Sequence, residues 1–279
     1  MSQTYSVDHY ENFPVASLLL PKVMRRPIAI VYRFARSADD FADEGDLSNE
    51  ARLALLEGYR AELGRLAAGA APETALFRDL RDEVVQPFQV PLQLFYDLLD
   101  AFAQDVVKTR FADFGELMHY CRRSANPVGR IVLHIAGHAG TRQLAWSDGI
   151  CAALQLINFW QDVAIDWQKG RVYLPQDELA RFGVSEAQIA EGRVDERWRA
   201  LMAFQVDRTR RMLRAGSPLG TYLKGRLGLE IRLTVLGGDA ILKQLDASGY
   251  DMHRQRPKLR AAHWPMLLLR ALFPRAIRS

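Results

Sequence analysis

The sequence, which is 279 residues long, predicts an all-α protein. Apolar residues recur three or four positions apart over residues 51–66 and 92–102, which is the spacing of one helix face. Alternating strand patterns bounded by hairpin turns are nearly absent. The chain contains no repeat of fixed period, and no stretch of it has the composition of a linker. We therefore expect residues 1–279 to form a single domain of long helices.

Local signals predict where individual helices begin and end. Turn-forming residues cluster at positions 70–72, 183, 192 and 216–218, and the short polar gap at 45–49 predicts a loop. Ser185 and Gln188 have the spacing of a capping box, which predicts the start of a short helix. Asp195 is placed to cap a longer helix that includes Trp198 and ends at Gly216.

Composition excludes several classes of protein. With 49% hydrophobic and 25% charged residues, the chain is not disordered. Cys121 and Cys151 are too far apart for a zinc ribbon and predict buried thiols in a reducing compartment. Residues 1–10 lack the apolar segment of a signal peptide, and the apolar runs are too short to span a bilayer, so a cytoplasmic location is expected. The net charge of +4 does not by itself indicate a nucleic-acid partner.

The basic excess is concentrated at the carboxyl end of the chain. Residues 253–279 contain seven Lys and Arg side chains and no acidic one, interleaved with Trp264, Phe273 and several leucines. A segment of this kind can lie on the surface of an anionic membrane. It is equally compatible with a final helix that docks on the core and leaves its arginines in solvent. The sequence leaves these two interpretations open.

The first of two acidic clusters spans residues 39–44. Asp39 and Asp43 are four positions apart, so a helix places both carboxylates on one face, where they repel each other. A cation between them would remove this repulsion. Arg33 and Arg36 lie one to two turns earlier, and carboxylates beside arginines suit Mg²⁺ together with a polyanion such as diphosphate. A solvated acidic helix end would give the same pattern.

The second cluster lies on a segment that is otherwise apolar. Asp162 and Asp166 repeat the four-residue spacing, and Asn158 and Gln155 precede them on the same face. A helix this apolar is expected to be buried, and unpaired charge is costly there. A metal ion is therefore favoured as the partner over basic side chains from other helices.

Two such helices facing each other would present four carboxylates across a gap, which could hold several Mg²⁺ ions with phosphate oxygens and water. Lys169, Arg171 and Tyr173 follow the second cluster, where Gly170 and Pro175 predict a loop. These side chains could neutralise the same diphosphate.

With these motifs the chain resembles the squalene/phytoene synthase family. The two aspartate motifs correspond to Asp39-Asp40-x-x-Asp43 and Asn158-x-x-x-Asp162-x-x-x-Asp166. The match covers residues 9–258 in the family's order and extends to the following positions: Tyr32, Arg36, Tyr120-Cys121, Val128-Gly129 and Arg171-x-Tyr173. The resemblance implies an isoprenoid-synthase-type helix bundle with a central cavity.

Within the family the chain is most similar to the branch that forms hydroxysqualene. This similarity rests on three segments, at residues 11–17, 32–36 and 158–162. Gln161 stands where condensing members usually carry Arg, Asn126-Pro127 replaces the more usual Gly-Thr or Gly-Ser, and Asn12 replaces a Ser. These departures imply a branch that starts from presqualene diphosphate rather than from two farnesyl diphosphates.

The resemblance also implies roles for individual residues. Metal ligands are expected at Asp39, Asp43, Asn158, Asp162 and Asp166, with Mg²⁺ as cofactor and no nicotinamide. Tyr32 and Tyr120 are expected to act with the aspartates in catalysis. Substrate contacts are expected from Arg33, Arg36, Gln155, Gln161, Lys169, Arg171, Tyr173 and Tyr250. Further aromatic candidates for the cavity wall are Phe13, Phe34, Phe41, Phe159 and Trp160, most of which are better explained as core.

Three other interpretations compete with this one. The nearest is a squalene or presqualene diphosphate synthase that condenses two farnesyl diphosphates. A non-catalytic partner of a related synthase is disfavoured because both aspartate motifs are intact, and a membrane-surface adaptor leaves Asp162 and Asp166 unexplained. The expected partners are the prenyl diphosphate substrate, the inner face of a membrane through peripheral contact, and neighbouring enzymes of the pathway.

Overall fold

The computed structural model describes residues 19–43 and 45–273, and no part of these ranges forms a β-strand. The all-α prediction is confirmed. The first seven helices are α1 (Lys22–Asp43), α2 (Asn49–Ala67), α3 (Ala75–Leu80), α4 (Gln86–Phe88), α5 (Gln93–Val107), α6 (Phe114–Ser124) and α7 (Asn126–Ile135). They are followed by α8 (Thr141–Gln168), α9 (Gln176–Phe182), α10 (Glu186–Ala190), α11 (Glu196–Gly216), α12 (Pro218–Tyr222), α13 (Gly225–Ala247) and α14 (Trp264–Leu272).

Most of the predicted helix ends agree with the structure. The segment at 51–66 lies within α2, and the segment at 92–102 lies within α5 apart from Leu92, the residue before that helix. The Asp195 carboxylate caps α11 by accepting a hydrogen bond from the Trp198 backbone amide (3.0 Å). The predicted capping box is only half formed. The Ser185 hydroxyl accepts a hydrogen bond from the Gln188 backbone N–H (3.2 Å). The Gln188 side chain does not complete the box by bonding to the Ser185 backbone, because it donates to the Arg193 carbonyl and to Asp195.

The central helix of the bundle is α8, which packs against α6, α7, α11 and α13. Helix α1 packs against α2, α3 and α5, and its Phe34 ring is fully buried among Tyr59, Phe77 and Phe95. On α8, Trp160 is fully buried and donates to the Thr209 hydroxyl of α11 (2.9 Å). Phe34 and Trp160 are thus core residues that fix the two helices carrying the acidic clusters.

Helices α8 and α11 approach each other closely where both carry glycine. A Cβ atom on Gly216 would lie 2.5 Å from the Trp146 carbonyl oxygen and 2.9 Å from the Ile150 nitrogen. Both contacts are with backbone atoms, which cannot move aside without displacing a helix. The close packing of these two helices therefore depends on the absence of a side chain at Gly216.

Gly216→Ala is expected to destabilise the protein by about 2 kcal/mol, because the added methyl group overpacks this crossing. Urea denaturation followed by circular dichroism measures the change. Gly58→Ala is the matched control: Gly58 lies inside α2 with nothing within 4 Å of its added Cβ. It should stabilise the protein by roughly 0.5–1 kcal/mol, since Ala restricts the unfolded chain. Equal effects of both substitutions would contradict the packing argument.

Two predictions about the chain as a whole are also met by the described residues. Cys121 and Cys151 are both buried free thiols, as expected for a reducing compartment. Among the helices of residues 19–43 and 45–273, none is both long enough and apolar enough to cross a bilayer.

Candidate active site

The carboxyl-terminal half of α1 carries the first acidic cluster. The Arg36 guanidinium lies 2.7 Å from Asp40 Oδ1 and 3.4 Å from Asp39 Oδ2. Asp39 faces Asp43 one turn away, and burial together with this second negative charge raises the pKa of Asp39 to about 6. The repulsion expected from the four-residue spacing is therefore present in the folded chain.

The carboxyl-terminal half of α8 carries the second cluster. Burial and the neighbouring Asp162 raise the pKa of Asp166 to about 7. Asp162 is paired with Arg256, whose Nη2 donates to Oδ2 (2.9 Å) and whose Nε donates to Oδ1. Within residues 19–43 and 45–273, the Asp166 carboxylate receives no such hydrogen bond or ion pair.

The loop after α8 joins the two clusters. Arg171 donates from Nη1 to Asp43 Oδ2 (3.3 Å) and from Nη2 to Asp43 Oδ1, and Lys169 Nζ lies 3.4 Å from the same carboxylate. Although burial opposes ionisation, the hydrogen bond and charge of Arg171 hold the pKa of Asp43 below its usual value. The predicted cations thus bridge from the second cluster to the first.

Asp105, on α5, is a site residue that the sequence analysis missed. It lies seven residues after the buried Leu98 and four after the buried Ala101, so it faces the interior. Its carboxylate accepts a hydrogen bond from the Tyr120 hydroxyl (2.9 Å), and burial raises its pKa to about 7. Arg171 donates to the Asp105 carbonyl (3.3 Å). An acidic residue on the apolar stripe of α5 was the signal that could have revealed it.

Aromatic rings line the space beside these carboxylates. The rings of Phe159 and Tyr173 stack with centroids 3.7 Å apart and planes within 6°, and Tyr120 and Phe111 pack around them. Phe159 and Tyr173 also border a small cavity together with Asp166 and Arg171. Burial raises the pKa of the Tyr120 hydroxyl far above its usual value, so this group stays neutral and can donate a hydrogen bond. The site therefore joins an acidic region to an aromatic wall.

Comparison with known proteins assigns this arrangement to a family. The squalene/phytoene synthase family model matches residues 7–263. The chain belongs to the squalene/phytoene synthase family. It is 37% identical to a hydroxysqualene synthase of Rhodopseudomonas palustris, over 84% of this chain and 79% of that one. It is 29% identical to a 15-cis-phytoene synthase of Synechococcus elongatus, over 94% and 89% of the two chains.

A solved structure extends the family assignment to the fold. The squalene synthase HpnC from Alicyclobacillus acidocaldarius is similar to this chain with a TM-score of 0.79 and 36% identity, covering 87% of this chain and 90% of that one. The isoprenoid-synthase-type bundle that the sequence analysis expected is therefore confirmed. Family members process prenyl diphosphates, and this chain is an enzyme of that class.

Three residues that the resemblance had placed at the site form hydrogen bonds or ion pairs with groups outside the two acidic clusters. Arg33 is exposed and pairs with Asp79 (3.4 Å). Gln161 is 2% exposed and donates to the Pro257 carbonyl (2.9 Å), so it anchors the segment that carries Arg256 and does not face the acidic groups. The Tyr250 hydroxyl donates to Asp246 (3.0 Å), and the Tyr250 carbonyl accepts from the buried Trp198 indole (2.9 Å).

Other predicted site residues lie on the helices that carry the acidic clusters, and some lie outside the described ranges. Tyr32 is half-buried on α1, one turn before Arg36. Gln155 and Asn158 are half-buried on α8 and precede Asp162 along the helix. Phe13 and the rest of the segment at 11–17 lie outside residues 19–43 and 45–273.

The donor atoms of the site suit Mg²⁺, which prefers carboxylate and amide oxygens. The side chains of residues 19–43 and 45–273 do not converge in a preformed group of three or more metal ligands. Arg171, Arg256 and Lys169 pair with Asp43 and Asp162, while Asp39 and Asp166 retain raised pKa values. Buried carboxylates that repel one another suit a site that a divalent cation completes. Mg²⁺ typically binds only one or two protein carboxylates and takes its other ligands from phosphate and water, so a preformed cluster of protein ligands is not required.

We expect the metal-free protein to lose stability as the pH rises through about 6.5–7.5. Asp39, Asp105 and Asp166 have raised pKa values of about 6, 7 and 7, so the folded chain retains protons that the unfolded chain has released. Their deprotonation therefore favours unfolding. Burial lowers the pKa values of His134 and His253, so these two groups reduce stability as the pH falls rather than as it rises. Thermal melting in EDTA measures the trend; a melting temperature that climbs across this window would contradict it.

Proposed function

We propose that this enzyme is a Mg²⁺-dependent hydroxysqualene synthase, which converts presqualene diphosphate and water into hydroxysqualene and diphosphate. The observation that carries the proposal is the joining of the two acidic clusters through Arg171 and Lys169 beside the Phe159–Tyr173 aromatic wall. The similarity to hydroxysqualene synthases, and Gln161 in place of Arg, support this particular substrate.

In this proposal the diphosphate binds between α1 and α8. The residues that would hold Mg²⁺ are Asp39, Asp43, Asn158, Asp162 and Asp166. When bound, Mg²⁺ would stabilise the negative charge that develops on the departing diphosphate. Arg171, Lys169 and Arg256 are paired with two of these carboxylates, Asp43 and Asp162, and are the basic side chains that would bind the diphosphate oxygens.

The aromatic side of the site would protect the substrate carbocation that remains after the diphosphate departs. As the C–O bond breaks, its electron pair leaves with the diphosphate, and the cyclopropylcarbinyl cation rearranges to an allylic cation. Ring faces such as those of Phe159 and Tyr173 attract positive charge and exclude bulk water. A water molecule then adds its oxygen to the allylic carbon and loses a proton, giving the alcohol. The Tyr120–Asp105 pair is placed to orient polar groups at this wall.

A second candidate is the head-to-head condensation of two farnesyl diphosphates to presqualene diphosphate or squalene. The phytoene synthase relative, which aligns over 94% of this chain, favours it. Both reactions begin with loss of diphosphate from an allylic or cyclopropylcarbinyl carbon, so the acidic clusters serve either one. The first substrate consumed distinguishes the two candidates.

The test supplies presqualene diphosphate and farnesyl diphosphate in separate reactions with the purified full chain, Mg²⁺ and ¹⁸O-labelled water, without NADPH. Mass spectrometry should detect ¹⁸O-labelled hydroxysqualene from presqualene diphosphate alone. Asp162→Ala should remove the product, whereas Asp207→Ala, which alters an exposed acid paired with Arg211, should not. Turnover of farnesyl diphosphate alone would transfer the assignment to a condensing synthase. No turnover of either substrate would favour a non-catalytic partner.

A further inference from the structure

Helix α14 has an apolar outer face. Only Leu267 and Ala271 of this helix are buried, against Leu233 and Leu236 of α13. The remaining large apolar side chains are 43–64% exposed: Trp264, Met266, Leu268, Leu269, Leu272 and, just beyond the helix, Phe273. A helix that docks on a protein core normally turns a polar face to solvent. In α14, Arg270 is the one charged side chain.

The start of α1 extends this apolar surface. Leu19 packs against the same small cluster as α14, which brings the first turn of α1 beside it. Val23 in that turn is 71% exposed, and the neighbouring Lys22 is exposed as well. The docking surface, as we define it, consists of Lys22, Val23, Arg260 and residues 264–273. Its charged groups are all basic.

This surface lies at the far end of α1 from the acidic clusters. A 22-residue helix is about 33 Å long, so Lys22 and Asp43 lie far apart at opposite ends of α1. Arg232 of α13 donates to the Ala271 carbonyl of α14 and to the Gly220 carbonyl of α12 (2.6 Å each). Leu219 of α12 and Leu223, the residue after it, line a mainly apolar cavity between α7, α8 and α13. Arg232 therefore connects α14 to the helix that borders this cavity.

We propose that the docking surface binds to an anionic lipid bilayer. Exposed Trp, Leu and Phe side chains flanked by Lys and Arg match the apolar depth and negative charge of a lipid headgroup region. A second copy of this chain is the poorer occupant, because a two-fold symmetric contact would bring two copies of the same basic surface together. Residues 253–279 contain no acidic residue that could compensate this charge.

The proposal does not depend on which prenyl diphosphate the enzyme uses. It resolves the two interpretations of the basic carboxyl-terminal segment by combining them, because α14 docks on the core through one face and presents the other to lipid.

The test is flotation of the full-length protein with vesicles made of equal parts phosphatidylcholine and phosphatidylglycerol. The protein should float with these vesicles and bind roughly tenfold or more weakly to vesicles of phosphatidylcholine alone. The double substitution Leu269→Glu/Leu272→Glu should weaken binding to the anionic vesicles at least about tenfold, with the melting temperature unchanged, because both side chains point to solvent.

The matched control is Leu47→Glu/Leu55→Glu, which changes two leucines of 47% and 39% exposure elsewhere on the molecule and should bind as the unmodified protein does. Arg260→Gln/Arg270→Gln should lose the preference for phosphatidylglycerol. Failure of the unmodified protein to float would overturn the proposal, as would unchanged binding of the α14 double variant. A dimer in light scattering that the α14 substitutions dissociate, without vesicle binding, would identify a second copy as the occupant instead.

Discussion

Asp166→Asn is expected to lower prenyl diphosphate turnover by about a thousandfold while stabilising the metal-free protein at pH 8 by roughly 1–2 kcal/mol. The two effects have opposite signs for one reason. The Asp166 carboxylate is buried beside Asp162, so its charge opposes folding, and burial raises its pKa to about 7. The same charge is what the proposed Mg²⁺–diphosphate complex would require.

Thermal melting with and without Mg²⁺ and inorganic diphosphate measures the stability effect, and a product assay measures turnover. The unmodified protein should gain stability from Mg²⁺ with diphosphate, and Asp166→Asn should lose most of that gain. Asp207→Asn, at an exposed carboxylate paired with Arg211, is the matched control and should change neither quantity. Loss of both activity and metal-free stability in Asp166→Asn would show that the carboxylate is structural, and the metal assignment would fail.

Arg171→Gln is expected to lower both stability and activity. Arg171 is the most buried of the cations on Asp43, and it also donates to the Asp105 carbonyl. Its removal leaves a partly buried carboxylate without its main partner, which costs about 2 kcal/mol of folding free energy. Turnover should fall by roughly a hundredfold, because a cation aimed at the diphosphate is lost as well.

A double-mutant cycle separates the two roles of Arg171. Asp43→Asn in the Arg171→Gln background should restore much of the lost stability, since the unpaired charge is removed, but should not restore turnover. Arg211→Gln, which breaks an exposed ion pair on α11, is the control and should alter stability by only a few tenths of a kcal/mol. If Arg171→Gln melts at the same temperature as the unmodified protein, the Asp43–Arg171 contact does not hold the two clusters together.

Local spacing along the chain was enough to place the acidic residues correctly on their helices. Asp39 and Asp43 share a face of α1, and Asp162 and Asp166 share a face of α8, because four residues are close to one helical turn. The helix cap at Asp195 was predictable for a similar reason, since a cap involves only neighbouring backbone amides. The capping box at Ser185 is only half formed, because the Gln188 side chain donates to the Arg193 carbonyl and to Asp195, five and seven residues further along the chain.

Partners that come from distant parts of the chain could not be predicted in this way. Asp43 and Arg171 are 128 positions apart, and Asp162 and Arg256 are 94 apart. No local pattern specifies such pairs, because they depend on how the helices pack. The pairing of Asp105 with Tyr120 depends on how α5 packs against α6, and the pairing of Gln161 with the Pro257 carbonyl depends on a segment 96 residues away.

The sequence by itself determined the helical class of this protein, the family to which it belongs and the faces of α1 and α8 that carry the acidic clusters. The tertiary structure alone decided which cations meet those acids, which tyrosine hydroxyl has a buried carboxylate partner and which face of α14 stays exposed. The physical reason is that helix periodicity is a property of adjacent residues, whereas side-chain pairing and burial arise from many weak contacts between elements that are far apart in the chain.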